Sequence, residues 1–450
     1  MSKNEAVSPQ DLPARGDASQ ARATSQAIVP AQADALDRRV EERSQAGVMG
    51  RTFEALQYPN YRLWFAGQLV SLVGTWMQTT AQGFLVFQLT HSTAYLGYVG
   101  FAAGAPAWIF MLYGGVIADR MSRRNLLIIT QATMMVLAFI QAILTFLNII
   151  QPWEIVVLAF LLGIANAFDA PARQAFVLEL VDRRALTNAI ALNSGMFNAA
   201  TVVGPAVAGL TYAAFGAAWC FTINGLSFIA VIVALALMHI QQIARAPRHG
   251  RALDQLKEGL RYTMSHSIIR TLIAVAAVGA LFGSAYATLL PAWAVDVLKG
   301  DAMTNGLLQS ARGAGSLVGA LMIASMGPFL RRGKLLTIGT IVYPILLILF
   351  AVTQVLSLSL LVLAGVGWGT MVLFNMANTL VQTQVTDEMR GRTMGVYSLT
   401  FFGGMPLGAL WAGALANYIG APWTIVVSAV ISLALAAVFW AFTPRLRTLA

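Results

Sequence analysis

The chain has 450 residues, 58% of them hydrophobic and 11% charged, with a formal net charge of +10. That is more apolar side chain than a water-soluble core can enclose, so soluble globular folds are excluded. A positive balance would suggest nucleic acid in a soluble protein, but the basic residues here sit in short loops between apolar runs. There they report topology, and no nucleic-acid partner is expected.

A helix needs roughly 20 apolar residues to cross a bilayer, and uncharged runs of that length recur from Leu63 to Phe442. Barrel strands would be about 10 residues long with alternating polarity, whereas these runs are continuous. The expected fold is an all-α membrane protein of about twelve transmembrane helices, with the lipid bilayer as its solvent. The lone Cys220 leaves no intrachain disulfide and no cysteine metal cluster.

Residues 1–55 are rich in Ala, Gln, Ser, Arg and acidic residues and hold no spanning run, which predicts a disordered cytoplasmic tail. Spans are predicted at 62–89, 94–117, 125–148, 153–172, 188–214, 217–239, 268–292, 304–326, 334–353, 358–381, 393–417 and 420–442. The first carries a polar stripe, Gln68, Ser71, Thr75, Thr79 and Gln82, at helical spacing. Such a stripe lines water or substrate, or else makes hydrogen bonds between helices.

After the second span comes Gly115-Val-Ile-Ala-Asp119-Arg120-Met-Ser-Arg123-Arg124. This run resembles the loop motif between the second and third helices of the major facilitator superfamily, with Ser122 where a glycine is usual. The resemblance implies a transporter built of two parallel six-helix repeats. It also implies that Gly115, Asp119, Arg120, Arg123 and Arg124 form a cytoplasmic latch between the halves, with Arg173 and Arg392 as partners of Asp119. In that family the first, fourth, seventh and tenth helices line the cavity. Gln78, Asn166, Tyr286, Trp368 and Asn375 therefore join the stripe as cavity candidates, a pocket of amides and aromatics suited to an amphipathic organic solute.

Further resemblance lies in Trp76-Met-Gln78 through Gln88-Leu-Thr90-His-Ser92, in Asp169-Ala-Pro171-Ala-Arg173-Gln174, in Gly204-Pro205 with Gly209, and in Arg390-Gly391-Arg392. These look like the exporters grouped with the enterobactin exporter and macrolide efflux proteins. Gly204-Pro205 also resembles part of the fifth-helix antiporter motif, without its full glycine complement.

Near the end of the fourth span, Asp169 is a candidate proton carrier, or alternatively the structural partner of Arg173 one turn on. Arg312 lies about nine residues into the eighth span, where an arginine costs roughly 2.5–3.5 kcal/mol on insertion scales. It is either an anion contact or coupling element, or a structural pair.

Cations fall on alternate sides of the spans: Arg183 and Arg184 after the fourth, Arg331, Arg332 and Lys334 after the eighth, Arg390 and Arg392 after the tenth. The opposite loops hold only Lys299, so both termini are expected in the cytoplasm of a cell with this protein in its plasma (inner) membrane. Residues 241–267 divide the spans as a cytoplasmic linker, and Leu253, Leu256 and Leu260 give it a short amphipathic helix. The halves are then 56–240 and 268–442, followed by a short cytoplasmic tail at 443–450.

An internal repeat supports these halves. Gly163, Gly204, Gly209, Gly216 and Trp219 recur as Gly367, Gly408, Gly413, Gly420 and Trp423, each pair 204 positions apart. Parallel repeats of this kind bind substrate at the interface between halves, near mid-membrane. Glycines concentrate in the second, fifth, eighth and eleventh spans, as close helix packing in lipid requires.

No Walker-type phosphate loop, metal-spacing cluster or Ser-His-Asp arrangement is present, so neither an enzyme nor an ATP-driven pump is expected. The expected function is secondary export of a small amphipathic solute, siderophore or drug-like, by antiport as a monomer. No cofactor is called for, and a proton gradient is the expected driving force. The rivals are an importer or symporter on the same fold and a non-transporting receptor or scaffold.

Overall fold

The computed structural model describes residues 53–238, 252–326 and 332–442, leaving aside the side chains of 111–120, 252, 253 and 442. Expectations for the first 52 residues, for 239–251, for 327–331 with Arg331, for 443–450, and for the surroundings of Gly115, Asp119 and Arg120 lie outside these described residues. From Ala55 onward the chain is one compact unit.

Beside a short 3-10 turn at Glu54–Gln57, the described residues form thirteen longer helices and no strand. They are α1 Pro59–Thr90, α2 Thr93–Arg120, α3 Arg123–Phe146, α4 Pro152–Leu180, α5 Leu186–Phe215, α6 Ala217–Leu237 and α7 Ala252–Ser265. Then follow α8 Ser267–Val297, α9 Ala302–Ser325, α10 Arg332–Val352, α11 Leu356–Gln384, α12 Asp387–Ile419 and α13 Ala421–Phe442. Local chemistry sets several ends. Glu154 accepts the Gln151 backbone N–H at 2.8 Å to close a capping box on α4, and Asp301 accepts the Thr304 N–H at 3.0 Å at the head of α9. Gly216 and Gly420, at φ +87° and +83° with an extended ψ, make the same positive-φ turn after α5 and α12, a backbone that glycine adopts readily.

Ten of these helices are long and apolar enough to cross a membrane by length and composition. At 32 residues α1 is long enough, but its polar stripe leaves it short of that apolarity. Exposed apolar residues recur at helical spacing on the outer faces, as Ile129, Val136, Ile140 and Ile143 on α3 and Ile338, Ile341, Ile345 and Leu349 on α10. A surface of that kind is stable against lipid tails and not against water. The helix α4 runs eight residues past the predicted end at 172, because Pro171 is accommodated inside it and the charges beyond are paired.

Within the first six helices α1 packs on α5 and α6, α2 on α4, and α3 on α4 and α6. The last six repeat the scheme: α8 on α12 and α13, α9 on α11, α10 on α11 and α13. The glycine repeat makes equivalent contacts in the two sets. A Cβ at Gly163 would strike Ala103 of α2, and one at Gly367 would strike Arg312 of α9. Gly204 backs onto α1 as Gly408 backs onto α8. Gly209 meets Met303 of α9, and Gly413 meets Gly97 of α2. These last two pairs join the sets, along α5–α9 and α2–α12.

The seventh span is irregular. Starting as α-helix, α8 passes through a π-helical turn at Gly279–Gly283, a 3-10 segment at Ser284–Leu289 and a second π turn at Trp293–Val297. The freed carbonyls find side-chain donors: Ser284 Oγ donates to Gly279 O at 3.3 Å, Trp411 Nε1 to Leu281 O at 3.1 Å, and the Tyr343 hydroxyl to Gly283 O. In a bilayer such breaks persist only when the backbone groups are satisfied in this way.

Candidate functional site

The two sets of helices are tight at one end and parted at the other. At the end carrying the loops at 91–92 and 298–301, Ser92 Oγ and Asn417 Oδ1 are 3.1 Å apart, and Thr93 Oγ1 donates to Gly413 O at 3.0 Å. Ser310 Oγ donates to Val202 O at 2.7 Å across α5–α9. A Cβ at Gly97, Gly306 or Gly313 would meet the opposing backbone. Toward the end with the basic loops, Gly195, Gly391 and Gly395 have nothing within 4 Å of a Cβ. The bundle is therefore open toward the basic end and sealed at the other.

A cavity of about 200 Å³ is lined by α1, α3, α4, α5 and α6, residues of the first half alone, and not by both halves as the repeat led one to expect. Its lining includes Gln68, Ser71, Thr75, Thr79, Asn166, Asp169 and Arg173, with Trp76 and Phe197 as an aromatic pair 5.9 Å apart. Asp169 is buried; its Oδ1 accepts from Thr130 Oγ1 at 2.9 Å and Gln131 Nε2 at 3.0 Å, and its Oδ2 pairs with Arg173 Nε at 3.4 Å. A carboxylate, a guanidinium, amides and hydroxyls thus face an apolar and aromatic wall, as an amphipathic solute requires.

Four of the five stripe residues line this space, and Gln82 does not: it turns its amide to Ile155 O at 3.5 Å. Gln78 is drawn between helices, donating to Gln141 Oε1 at 3.1 Å and accepting from Asn224 Nδ2 at 2.6 Å. Tyr286 is buried in the second set of helices, against Arg312. Trp368 donates to Met322 Sδ at 3.4 Å, and Asn375 is half-buried on α11. Gln131 and Phe197 were missed by the sequence reading; Gln131 sits about two turns into a helix otherwise read only for its basic loop.

Of the motif's basic residues, the described Arg123 and Arg124 are engaged within their own half. Arg123 donates to Ala175 O at 2.7 Å and pairs with Glu179 at 3.1 Å. Arg124 caps α6, donating to Leu235 O at 2.6 Å and Ala236 O at 2.8 Å, where a cation also meets the negative end of the helix. Arg392 is held by Glu258 of α7, whose neighbour Gly259 lies against the Arg392 backbone.

Residues 51–449 match the family model described as transmembrane secretion effector. The chain belongs to that family of major facilitator transporters. The superfamily resemblance of the loop motif is thereby confirmed, and the protein is a transporter and not an enzyme. Among curated relatives, this transporter is 24% identical over 388 residues to the staphyloferrin A transporter of Staphylococcus aureus, covering 86% of this chain and 97% of that one. It is 28% identical over 382 residues to the enterobactin exporter EntS of Citrobacter koseri, covering 83% and 88%. Solved structures give the same fold: the nucleoside transporter NupG at TM-score 0.67 and 16% identity, covering 85% of this chain and 98% of that one. A bacterial homologue of the human lysosomal transporter Spinster, inward-facing and unoccupied, gives 0.68 and 14%, covering 86% and 96%.

Proposed function

We propose that this transporter exports a small amphipathic organic solute from the cytoplasm by ion-gradient-coupled antiport. The observation that carries this reading is the buried Asp169–Arg173 pair on the wall of a cavity in a bundle whose halves meet closely at the end opposite the basic loops. By the positive-inside rule the basic end is cytoplasmic, so the cavity loads from within the cell. The halves 56–240 and 268–442 would then rock about the α2–α12 and α5–α9 seams, with residues 241–267 as the cytoplasmic linker. Asp119 would latch the cytoplasmic side when it closes, taking Arg173 or Arg392 from the carboxylates that hold them here.

Asp169 is the coupling group in this scheme, since it is a carboxylate placed where solute and proton can both reach it. Support for the solute class comes from relatives whose names carry enterobactin and staphyloferrin A, so a siderophore is the first compound to test. The experiment is uptake of fluorescent amphiphiles and of a siderophore into inside-out vesicles, with a proton gradient imposed and then collapsed. Gradient-dependent uptake by the wild type, lost in Asp169→Asn, is the expected result. Uptake in right-side-out vesicles alone would establish an importer. Saturable binding without flux in either orientation would establish the receptor alternative.

A further inference from the structure

The cations Arg123, Arg173 and Arg392 each have a carboxylate, and Arg124 has two backbone carbonyls. Arg312 has neither. It lies inside α9, makes no ion pair among the described residues, and its buried Nε meets no hydrogen-bond acceptor. A guanidinium stays charged at any pH a cell reaches, so the charge cannot be shed.

Nothing in the second set of helices neutralises it. The described acids there sit at helix ends: Asp296 near the end of α8, Asp301 capping α9, Asp387 and Glu388 in the first turn of α12. Around Arg312 are hydroxyls instead. The Tyr286 hydroxyl lies against it, with Thr370 beside Tyr286 and Tyr343 within electrostatic reach. On the same helix the buried Asn305, seven residues before Arg312, has no partner for either its Nδ2 or its Oδ1, and Trp293 Nε1, on the irregular part of α8 that packs on α9, is a further buried donor without one. Unpartnered buried polar groups are costly.

The position is also accessible. Arg312 precedes Gly313, which rests on Thr201 of the first half, and it is half-buried and not sealed. On α5, Gly195 lies beyond that contact toward the open end and has no neighbour within 4 Å of a Cβ. Arg312 is thus half-buried and one residue from a contact between the halves.

We propose that Arg312, with Tyr286, seats an anionic oxygen group, a carboxylate or similar oxyanion carried by the transported solute. The planar guanidinium matches such a group bidentately, and the Tyr286 hydroxyl adds a third donor. This deepens the transport reading and rests on it: one half supplies the coupling carboxylate, the other receives the anionic end of the cargo.

The test is thermal unfolding of the purified full-length protein in lipid nanodiscs, titrated with citrate, with its neutral triethyl ester and with chloride, at constant ionic strength. Citrate is expected to stabilise the wild type while triethyl citrate does not. Its apparent affinity should fall roughly tenfold or more in Arg312→Gln, less in Arg312→Lys and in Tyr286→Phe. Should Arg312→Gln fail to fold, the lysine and phenylalanine variants carry the comparison. An Arg312-dependent response to chloride alone identifies an inorganic counter-ion as occupant and overturns the assignment to solute. Equal responses in wild type and all variants overturn the site itself. Flux of an uncharged amphiphile, measured in parallel, separates the two readings: flux without a citrate effect leaves transport standing, and a citrate effect without flux of any solute leaves only the site.

Discussion

At the scale of single residues, the polar side chains of α1 divide between cavity and helix interface. Gln68, Ser71, Thr75 and Thr79 line the cavity, while Gln78 joins Gln141, Asn224 and Ser227 in a buried chain that ties α1 to α3 and α6. Period alone selects a face, and on a helix with neighbours on several sides it does not say which amide meets water and which meets another amide. Asn224→Ala removes the donor to Gln78 and leaves its carbonyl oxygen unpaired, so it should lower stability by roughly 1–2 kcal/mol. Solute KM should be unchanged, because the chain lies off the cavity. Guanidinium or thermal unfolding beside transport kinetics checks this; a raised KM at wild-type stability would return Gln78 to the pocket. By contrast Gln131→Leu removes one of the two donors to Asp169 Oδ1, and the expected change is in the pH dependence of transport with little loss of stability. An unaltered pH profile would assign Gln131 to packing alone.

Among the helices, glycine position was the most legible signal, because the 204-residue offset names the same contact twice. Gly209 and Gly413 each bring their helix onto the other half, and Gly204 and Gly408 each bring it onto a helix of their own. The break in α8 was not legible. Gly279, Gly283 and Pro291 sit in an apolar run that reads as any other span, and the donors that satisfy its carbonyls, Tyr343 and Trp411, come from distant helices. Glu179 was missed because it lies past the point where the apolar run of α4 ends, in a turn that Arg123 sustains from α3. The seams give a paired prediction. A Cβ at Gly97 would sit 2.8 Å from Ala409 O and 3.1 Å from the Gly413 Cα, so Gly97→Ala forces α2 and α12 apart at the sealed end. Gly195→Ala meets nothing within 4 Å and should leave this conformation intact. Thermal stability of the purified variants should therefore fall for the first and hold for the second, and equal losses would mean that the seam is not what close glycine packing supports.

For the molecule as a whole, the apolar runs led to about twelve expected spans, of which ten described helices have the length and apolarity to cross a membrane, and the basic loops gave the expected orientation, but which end stands open depends on contacts between halves that no local pattern records. That state is measurable through cysteine. Cys220 is the sole cysteine, and it is buried with its Sγ 3.7 Å from Ala208 O, so Cys220→Ser provides a cysteine-free background at small cost. In that background Ser194→Cys, exposed on the parted stretch of α5, should react quickly with a membrane-impermeant maleimide in inside-out vesicles. Thr93→Cys, buried where Thr93 now bonds Gly413 O, should react slowly from either side. Adding a transported solute together with an opposing ion gradient should invert the pair, slowing Ser194→Cys as the cytoplasmic end closes and exposing Thr93→Cys to right-side-out vesicles. Alternating access requires the two rates to move in opposite directions, because one rigid rocking motion closes one end by opening the other. Rates that rise or fall together would show loosening of the bundle in place of exchange between two states, and would remove the rocking scheme for this chain.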